Sequence, residues 1–147
     1  MGVMHRNTYL PSNRMLEATM QIRGDLSAKP LFFAGQLTGV EGYLESTAMG
    51  YIAGTNAARS ARGAEPITMP RGTMMGALAH YITTKVGTLQ PINSNWGLVP
   101  AAPKREDGRR LGKPERRQRQ ARMALAALED FIVLERSAVT RHQPPGR

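Results

Sequence analysis

Residues 31–58 begin Leu-Phe-Phe-Ala, pass through Gly35, Gly39 and Gly42, and continue as a proline-free, alanine-rich run. No other part of the chain limits the fold so strongly. Leu31 to Ala34 is too short an apolar run for anything but a buried strand. The glycines that follow permit positive φ and let another group approach the backbone closely. The alanine-rich run favours a long helix. Where a helix begins, its first amide N–H groups lack internal partners, and the dipole adds partial positive charge to them. A strand turning through glycines into such a helix is a place to hold an anion.

Gly42, Ser46, Gly50, Gly54 and Ala58 recur every four residues and put small side chains on one ridge of this helix. A glycine inside a helix costs about 1 kcal/mol relative to alanine. Close packing against a sheet or another helix is the ordinary reason to accept it. Close approach of a cofactor is the functional reason, and it fits only the first turn.

The segments on either side are less constrained. Residues 2–10 read as an extended stretch, which must pair with a neighbour to satisfy its backbone. Pro11-Ser12-Asn13 signals a turn. Arg14 to Gln21 fits a short helix, while Met20 to Arg23 fits equally well a strand turning through Gly24-Asp25. Arg62-Gly63, with Pro66 soon after, stops the long helix. Thr73 can N-cap a second helix to about Thr84, where Met74, Leu78, Tyr81 and Ile82 fall at helical spacing. Met74, Met75 and Leu78 read as core, and His80 as structural.

Residues 89–100 form a loop in which two asparagines flank Ser94 and the only tryptophan follows. Asparagine satisfies turn backbone and a lone Trp usually anchors a surface, so the structural reading is favoured. From Glu115 to about Val139 the pattern is helical again. Met123, Ala127, Phe131 and Leu134 fall on one side with Leu128 beside them, and Arg116, Arg119 and Arg122 lie opposite. Residues 142–147 read as a disordered end.

Charge divides the chain. From Lys104 onward there are twelve Lys/Arg against six Asp/Glu, net +6, and the first 103 residues carry net +3. A basic tail suggests an acidic partner, most simply RNA or DNA, against the plainer reading of a solvated tail. The chain has no cysteine, which excludes disulfides, thiolate metal sites and cysteine nucleophiles within it. No stretch approaches the roughly 20 apolar residues that cross a bilayer, and residues 1–6 contain no signal-peptide core. A cytoplasmic protein without a membrane partner is the expectation.

Phe32 to Ser46, read as FFAGQLTGVEGYLES, closely resembles the last flavin-binding motif of the folate- and FAD-dependent tRNA (uracil-5-)-methyltransferases. These are relatives of the larger GidA-type flavoproteins. Gly2 to Leu10, Thr73 to Thr83 and Gln90 to Pro100 are similar to further motifs of that family, in the right order. The resemblance covers about residues 2–138. It implies a helix-rich α/β fold, the C-terminal portion of a doubly wound FAD-binding domain. Residues 1–103 would belong to that domain and 104–147 would form a basic helical tail. Family members are much longer. Their N-terminal half supplies the dinucleotide-binding βαβ with its Gly-x-Gly-x-x-Gly, and they use cysteines in methyl transfer. Neither is present here, so the chain alone is not expected to catalyse, and no catalytic residue is assigned to it. The missing half is the expected protein partner.

The resemblance further implies 5-methyluridine formation at the T-loop uridine of tRNA, with 5,10-methylenetetrahydrofolate, FAD and NAD(P)H as reductant. Gly35 and Gln36 would end the strand at the ribityl chain. Amides around Thr38, Gly39, Val40 and Glu41, taken as the helix start, would face the phosphate or the flavin pyrimidine edge. His5, Arg6, Asn7, Asn93 and Asn95 are the folate candidates. Arg105, Arg109, Arg110, Lys113, Arg116, Arg117, Arg119 and Arg122 are the candidates for tRNA phosphates, giving salt-dependent affinity. A stand-alone basic RNA-binding module and an inactive remnant of the enzyme are the competing readings.

Overall fold

About half of the described chain is helical, in α1 (Ser12–Met15), α2 (Tyr43–Ala61), α3 (Met74–Thr84) and α4 (Lys113–Arg141). The computed structural model describes residues 8–24, 29–105 and 107–141, with side chains to residue 137. A single 3-10 turn, Gln36–Thr38, precedes α2.

The expected strand at Leu31–Ala34 is not a strand in a sheet, and no sheet forms among the described residues. Phe32 pairs antiparallel with Gln21 at one isolated bridge, and the other bridges join Leu16 to Ile22 (antiparallel) and Val40 to Ile92 (parallel). Ile22 N–H donates to the Leu31 carbonyl at 2.9 Å and Phe33 N–H to the Met20 carbonyl at 3.0 Å. An extended segment satisfies its backbone only through neighbours, and residues 20–22 are too short to extend the ladder. Leu31 is consequently exposed, and Phe32, Phe33 and Ala34 are half-buried. Of the helix expected over Arg14–Gln21 only Arg14 and Met15 are helical, because α1 begins inside the expected turn at Ser12, and the extended alternative at Met20–Arg23 is present only as isolated bridges. α1 ends at Met15, and the chain then bends at Met20, φ +67°, into the bridged pair Gln21 and Ile22.

α2 ends where the sequence indicates, with Gly63 N–H donating to the Ser60 carbonyl at 3.0 Å. Its buried stripe is Met49, Ile52, Ala53 and Asn56. In its middle the small-residue ridge does not pack against the described chain: Gly50 and Gly54 are exposed, with nothing within 4 Å of where a Cβ would stand. The ridge and the buried stripe lie on different sides of the helix because the apolar residues are out of step with the glycines. α3 matches expectation. Thr73 Oγ1 accepts the Gly76 N–H at 3.0 Å as N-cap, and Leu78 and Ile82 are fully buried with Leu16, Val40, Met49 and Ile52. Met75 packs against this core, whereas Met74 lines an apolar cavity with Trp96, Val99 and Leu125.

Asn56 joins three segments. Its Nδ2 donates to the carbonyls of Thr19 and Ile67 at 2.9 and 2.8 Å, and its Oδ1 accepts Ile67 N–H at 2.7 Å. α4 is held by Gln120, whose Nε2 donates to the carbonyls of Trp96 and Pro100 at 3.3 and 3.1 Å. An Arg59–Glu135 ion pair at 3.2 Å ties it to the end of α2. The packing face of α4 is Gln120, Ala124, Ala127, Leu128, Phe131 and Glu135. Met123 and Leu134, expected on that face, are exposed. Ala127, Leu128 and Phe131 lie on the face as expected, and the alanines of α4 let the seam shift so that Met123 and Leu134 fall outside it.

Candidate functional site

The glycine corner is built by backbone bonds. Thr38 N–H and Oγ1 both donate to the Gly35 carbonyl, at 2.9 and 2.8 Å. Gly39 N–H donates to the Gln36 carbonyl at 3.0 Å and Glu41 N–H to the Ile92 carbonyl at 3.0 Å. Thr38, Gly39 and Val40 are buried, and Gln36 is exposed. Gly39 has φ +86°, a conformation that favours glycine, and a Cβ there would also displace the end of the Leu89 side chain, whose Cδ2 would lie at 2.8 Å. The expectation that Thr38–Glu41 opens the helix is corrected: α2 starts at Tyr43, after Gly42. The bridge from Val40 to Ile92 takes the chain straight on before it can coil, and three of the four expected amides are already engaged inside the chain.

The true mouth of α2 carries a carboxylate. Glu45 lies in its first turn and accepts from Ser94 N–H at 2.9 Å and from Ser94 Oγ at 2.6 Å. These two bonds, the hydroxyl's first, hold the Glu45 carboxyl below the usual glutamate range. Glu45 sits three residues after the N-cap Gly42, a favoured place for a glutamate at a helix start; the sequence did not point to it, because the spacing shows only once the helix start is placed at Gly42. Asn93 lies beside Gly42. Asn95 spends its amide within its own loop, donating to the Asn93 carbonyl at 3.1 Å and accepting Gly97 N–H at 3.0 Å. An apolar cavity of about 270 Å³ adjoins, lined by Leu44, Ala48, Met75 and Leu78 together with Glu45 and Ser94. Beside it Tyr43 is 97% exposed.

The Glu45–Ser94 pair gives a pH-dependent outcome. A lowered folded-state pKa adds stability that is complete above the ordinary glutamate value, about 4.3, and is lost as pH falls through the folded one. Ser94→Ala is expected to raise the Glu45 titration towards the ordinary range. Carbon-detected NMR of the carboxyl reads it directly, and an unchanged midpoint would mean that Ser94 is not the cause.

The basic candidates separate into two groups. Arg105 and Arg119 both pair with Glu115, Arg119 at 3.1 Å, and Arg109 lies 3.7 Å from Asp107. Arg110, Lys113, Arg116, Arg117 and Arg122 are exposed and form no ion pair among the described residues. His5, Arg6 and Asn7 lie outside the described residues.

The family described as Glucose inhibited division protein A matches residues 1–65. The Methylenetetrahydrofolate--tRNA-(uracil-5-)-methyltransferase TrmFO of Rubrobacter xylanophilus is 83% identical over 130 residues, 88% of this chain and 29% of that protein. Its namesakes are 52% identical in Exiguobacterium sibiricum over 131 residues and 44% identical in Aquifex aeolicus over 132. These cover 88% and 90% of this chain and 29% and 28% of those proteins. A solved structure of Aquifex aeolicus GidA in the form II crystal is 27% identical, with a TM-score of 0.46 over 80% of this chain and 17% of that one. The chain thus spans less than a third of the length of the curated relatives it matches. With the glycine corner, the Ser94 loop and the Thr73-capped helix all lying within the 130 residues matched at 83% identity, the chain belongs to the TrmFO family.

Proposed function

We propose that this chain is part of a folate- and FAD-dependent tRNA (uracil-5-)-methyltransferase, forming 5-methyluridine at the T-loop uridine with NAD(P)H as reductant, in the cytoplasm. The observation that carries the reading is the 83% identity over 130 residues with the Rubrobacter xylanophilus relative. On this reading residues 1–103 complete a doubly wound FAD-binding domain and residues 104–147 form its basic tail. The exposure of Leu31 and the single bridge at Phe32 suit an edge that strands from the rest of a family-length protein would cover.

The corner fits the neutral part of a flavin better than its phosphates. The Glu45 carboxylate already occupies the positive end of the α2 dipole, and a second anion there would be repelled. Exposed Gln36 beside Gly35 offers both a donor and an acceptor, which suit ribityl hydroxyls. Exposed Leu37, Tyr43 and Leu44 provide apolar surface beside a flat ring. When bound, the flavin supplies the redox chemistry; these residues orient it and keep water from one edge. His5, Arg6, Asn7 and Asn93 remain the folate candidates, and Asn95 shapes the loop that carries Asn93.

Arg110, Lys113, Arg116, Arg117 and Arg122 are the first tRNA contacts to expect, because no carboxylate among the described residues competes for them. Changing Arg116, Arg117 and Arg122 to glutamine is expected to weaken tRNA binding evenly across sequences. It should reduce the slope of log K against log salt by about 1 per lost contact. Arg105→Gln should change the slope less, because Glu115 already holds that guanidinium. Filter binding at several salt concentrations checks both.

The reading as a whole is tested by exchanging the matching 130 residues of the Rubrobacter relative for those of this chain. Retained flavin absorbance and 5-methyluridine in the product tRNA are expected. A folded chimera without flavin would overturn the enzyme reading. Flavin-independent tRNA binding by the chain itself would then favour the stand-alone basic module, to which the exposed cations of α4 also point.

A further inference from the structure

A groove of about 250 Å³ runs beside α3, and its lining includes Arg71, His80, Tyr81, Thr84, Lys85 and Gly97. No residue of α4 and none of the glycine corner contributes to it. Among the described residues, three lining side chains are basic and none is acidic. Arg71, His80 and Lys85 form no ion pair among the described residues.

The cations stand on fixed backbone. Arg71 lies two residues before the Thr73 cap, in a turn closed by Thr73 N–H to the Pro70 carbonyl at 2.9 Å. The Lys85 carbonyl accepts Asn13 Nδ2 at 2.6 Å, and Lys85 Nζ lies 5.9 Å from the centre of the Tyr81 ring. The His80 carbonyl accepts Thr84 Oγ1 at 2.7 Å, within the helix. On the opposite wall the Gly97 amide already serves Asn95. Recognition there falls to side chains, and their polar groups are an arginine fork, an imidazole, an ammonium and the hydroxyls of Tyr81 and Thr84.

We propose that this groove binds a phosphoryl group, with Arg71, His80 and Lys85 as its ligands. Three basic groups without a carboxylate favour a multiply charged tetrahedral oxyanion over a single carboxylate. The proposal is independent of the reading of the α4 arginines, because the two sets share no residue. Its source is either a phosphodiester of RNA or a free phosphomonoester.

His80 reports occupancy. In the empty groove, burial first and Arg71 second push its imidazole below the ordinary histidine range. Among the described residues, the other charged and titratable groups lining the groove are Arg71, Lys85 and Tyr81, and none of them favours a protonated His80. A bound oxyanion reverses that balance, and His80 takes up a proton as the site fills.

The test titrates the full 147-residue chain with inorganic phosphate against sodium chloride at matched ionic strength, following the histidine ring signals by NMR. A saturable shift at His80 is expected, with its pKa raised as the groove fills. Arg71→Gln and Lys85→Gln should each weaken phosphate binding about tenfold, the worth of one charge-assisted hydrogen bond. Both positions are exposed, so the fold is expected to survive. A single-stranded RNA oligonucleotide that competes with phosphate at His80 supports the phosphodiester source. Phosphate binding without such competition supports the free phosphomonoester. No saturable shift, an equal shift with chloride, or binding unaffected by both variants would overturn the site.

Discussion

Asn56→Leu is expected to destabilise the fold by about 4 kcal/mol or more. The asparagine is fully buried and is the hydrogen-bond partner of the Thr19 carbonyl, the Ile67 carbonyl and the Ile67 N–H. Leucine matches its size but leaves three backbone groups unpaired, each costing about 1–3 kcal/mol. Asn56→Asp keeps the acceptor for Ile67 N–H, loses both donated bonds and turns a buried charge towards two carbonyls, so it should be no milder. Urea unfolding followed by circular dichroism would measure both, with the slope checked for two-state behaviour. A leucine variant within 1 kcal/mol of the parent would show that water or a shifted backbone replaces the side chain.

Gly76→Ala is the second large effect, at about 3 kcal/mol. A Cβ on Gly76 would run into the Pro70 carbonyl group and the Met69 carbonyl oxygen. These are backbone atoms, so relief requires moving the start of α3 rather than rotating a side chain. Overpacking of that kind costs about 1–3 kcal/mol, and displacing the helix start also weakens the Thr73 cap, worth about 1 kcal/mol. Gly50→Ala and Gly54→Ala form the contrast within one chain. Nothing stands within 4 Å of either new methyl group, so each should stabilise the isolated chain by up to about 1 kcal/mol. Equal losses at all three positions would mean that the α2 ridge is covered in solution.

Elements whose signals are local were legible in the sequence. Thr73 as N-cap, the Arg62-Gly63 stop and the run of α3 rest on neighbours in the chain, and the structure has them as expected. Elements that depend on partners were not. Leu31–Ala34 has the composition of a strand, but a strand exists only when another lies beside it. The glycine spacing in α2 identifies one face of a helix, yet not whether that face meets the core. Asn56 gave no signal, since an asparagine in an alanine-rich helix reads as solvated until its distant partners Thr19 and Ile67 are known. At the candidate site the glycines were legible and the start of α2 was not, because the Val40–Ile92 bridge sets it from a distant part of the chain.

That bridge also orders the assembly of the molecule. Glu45 and Ser94 are 49 positions apart, and the Val40–Ile92 bridge encloses both α2 and α3. Closing so long a loop has an entropic cost that no helical turn bears, and contacts of this range form slowly. The two helices can coil and begin to pack before the loop closes, whereas the corner cannot exist until it has closed. The corner should therefore form late in folding and open first under mild denaturant, with hydrogen exchange at Glu41 and Ile92 outpacing that of the α3 interior.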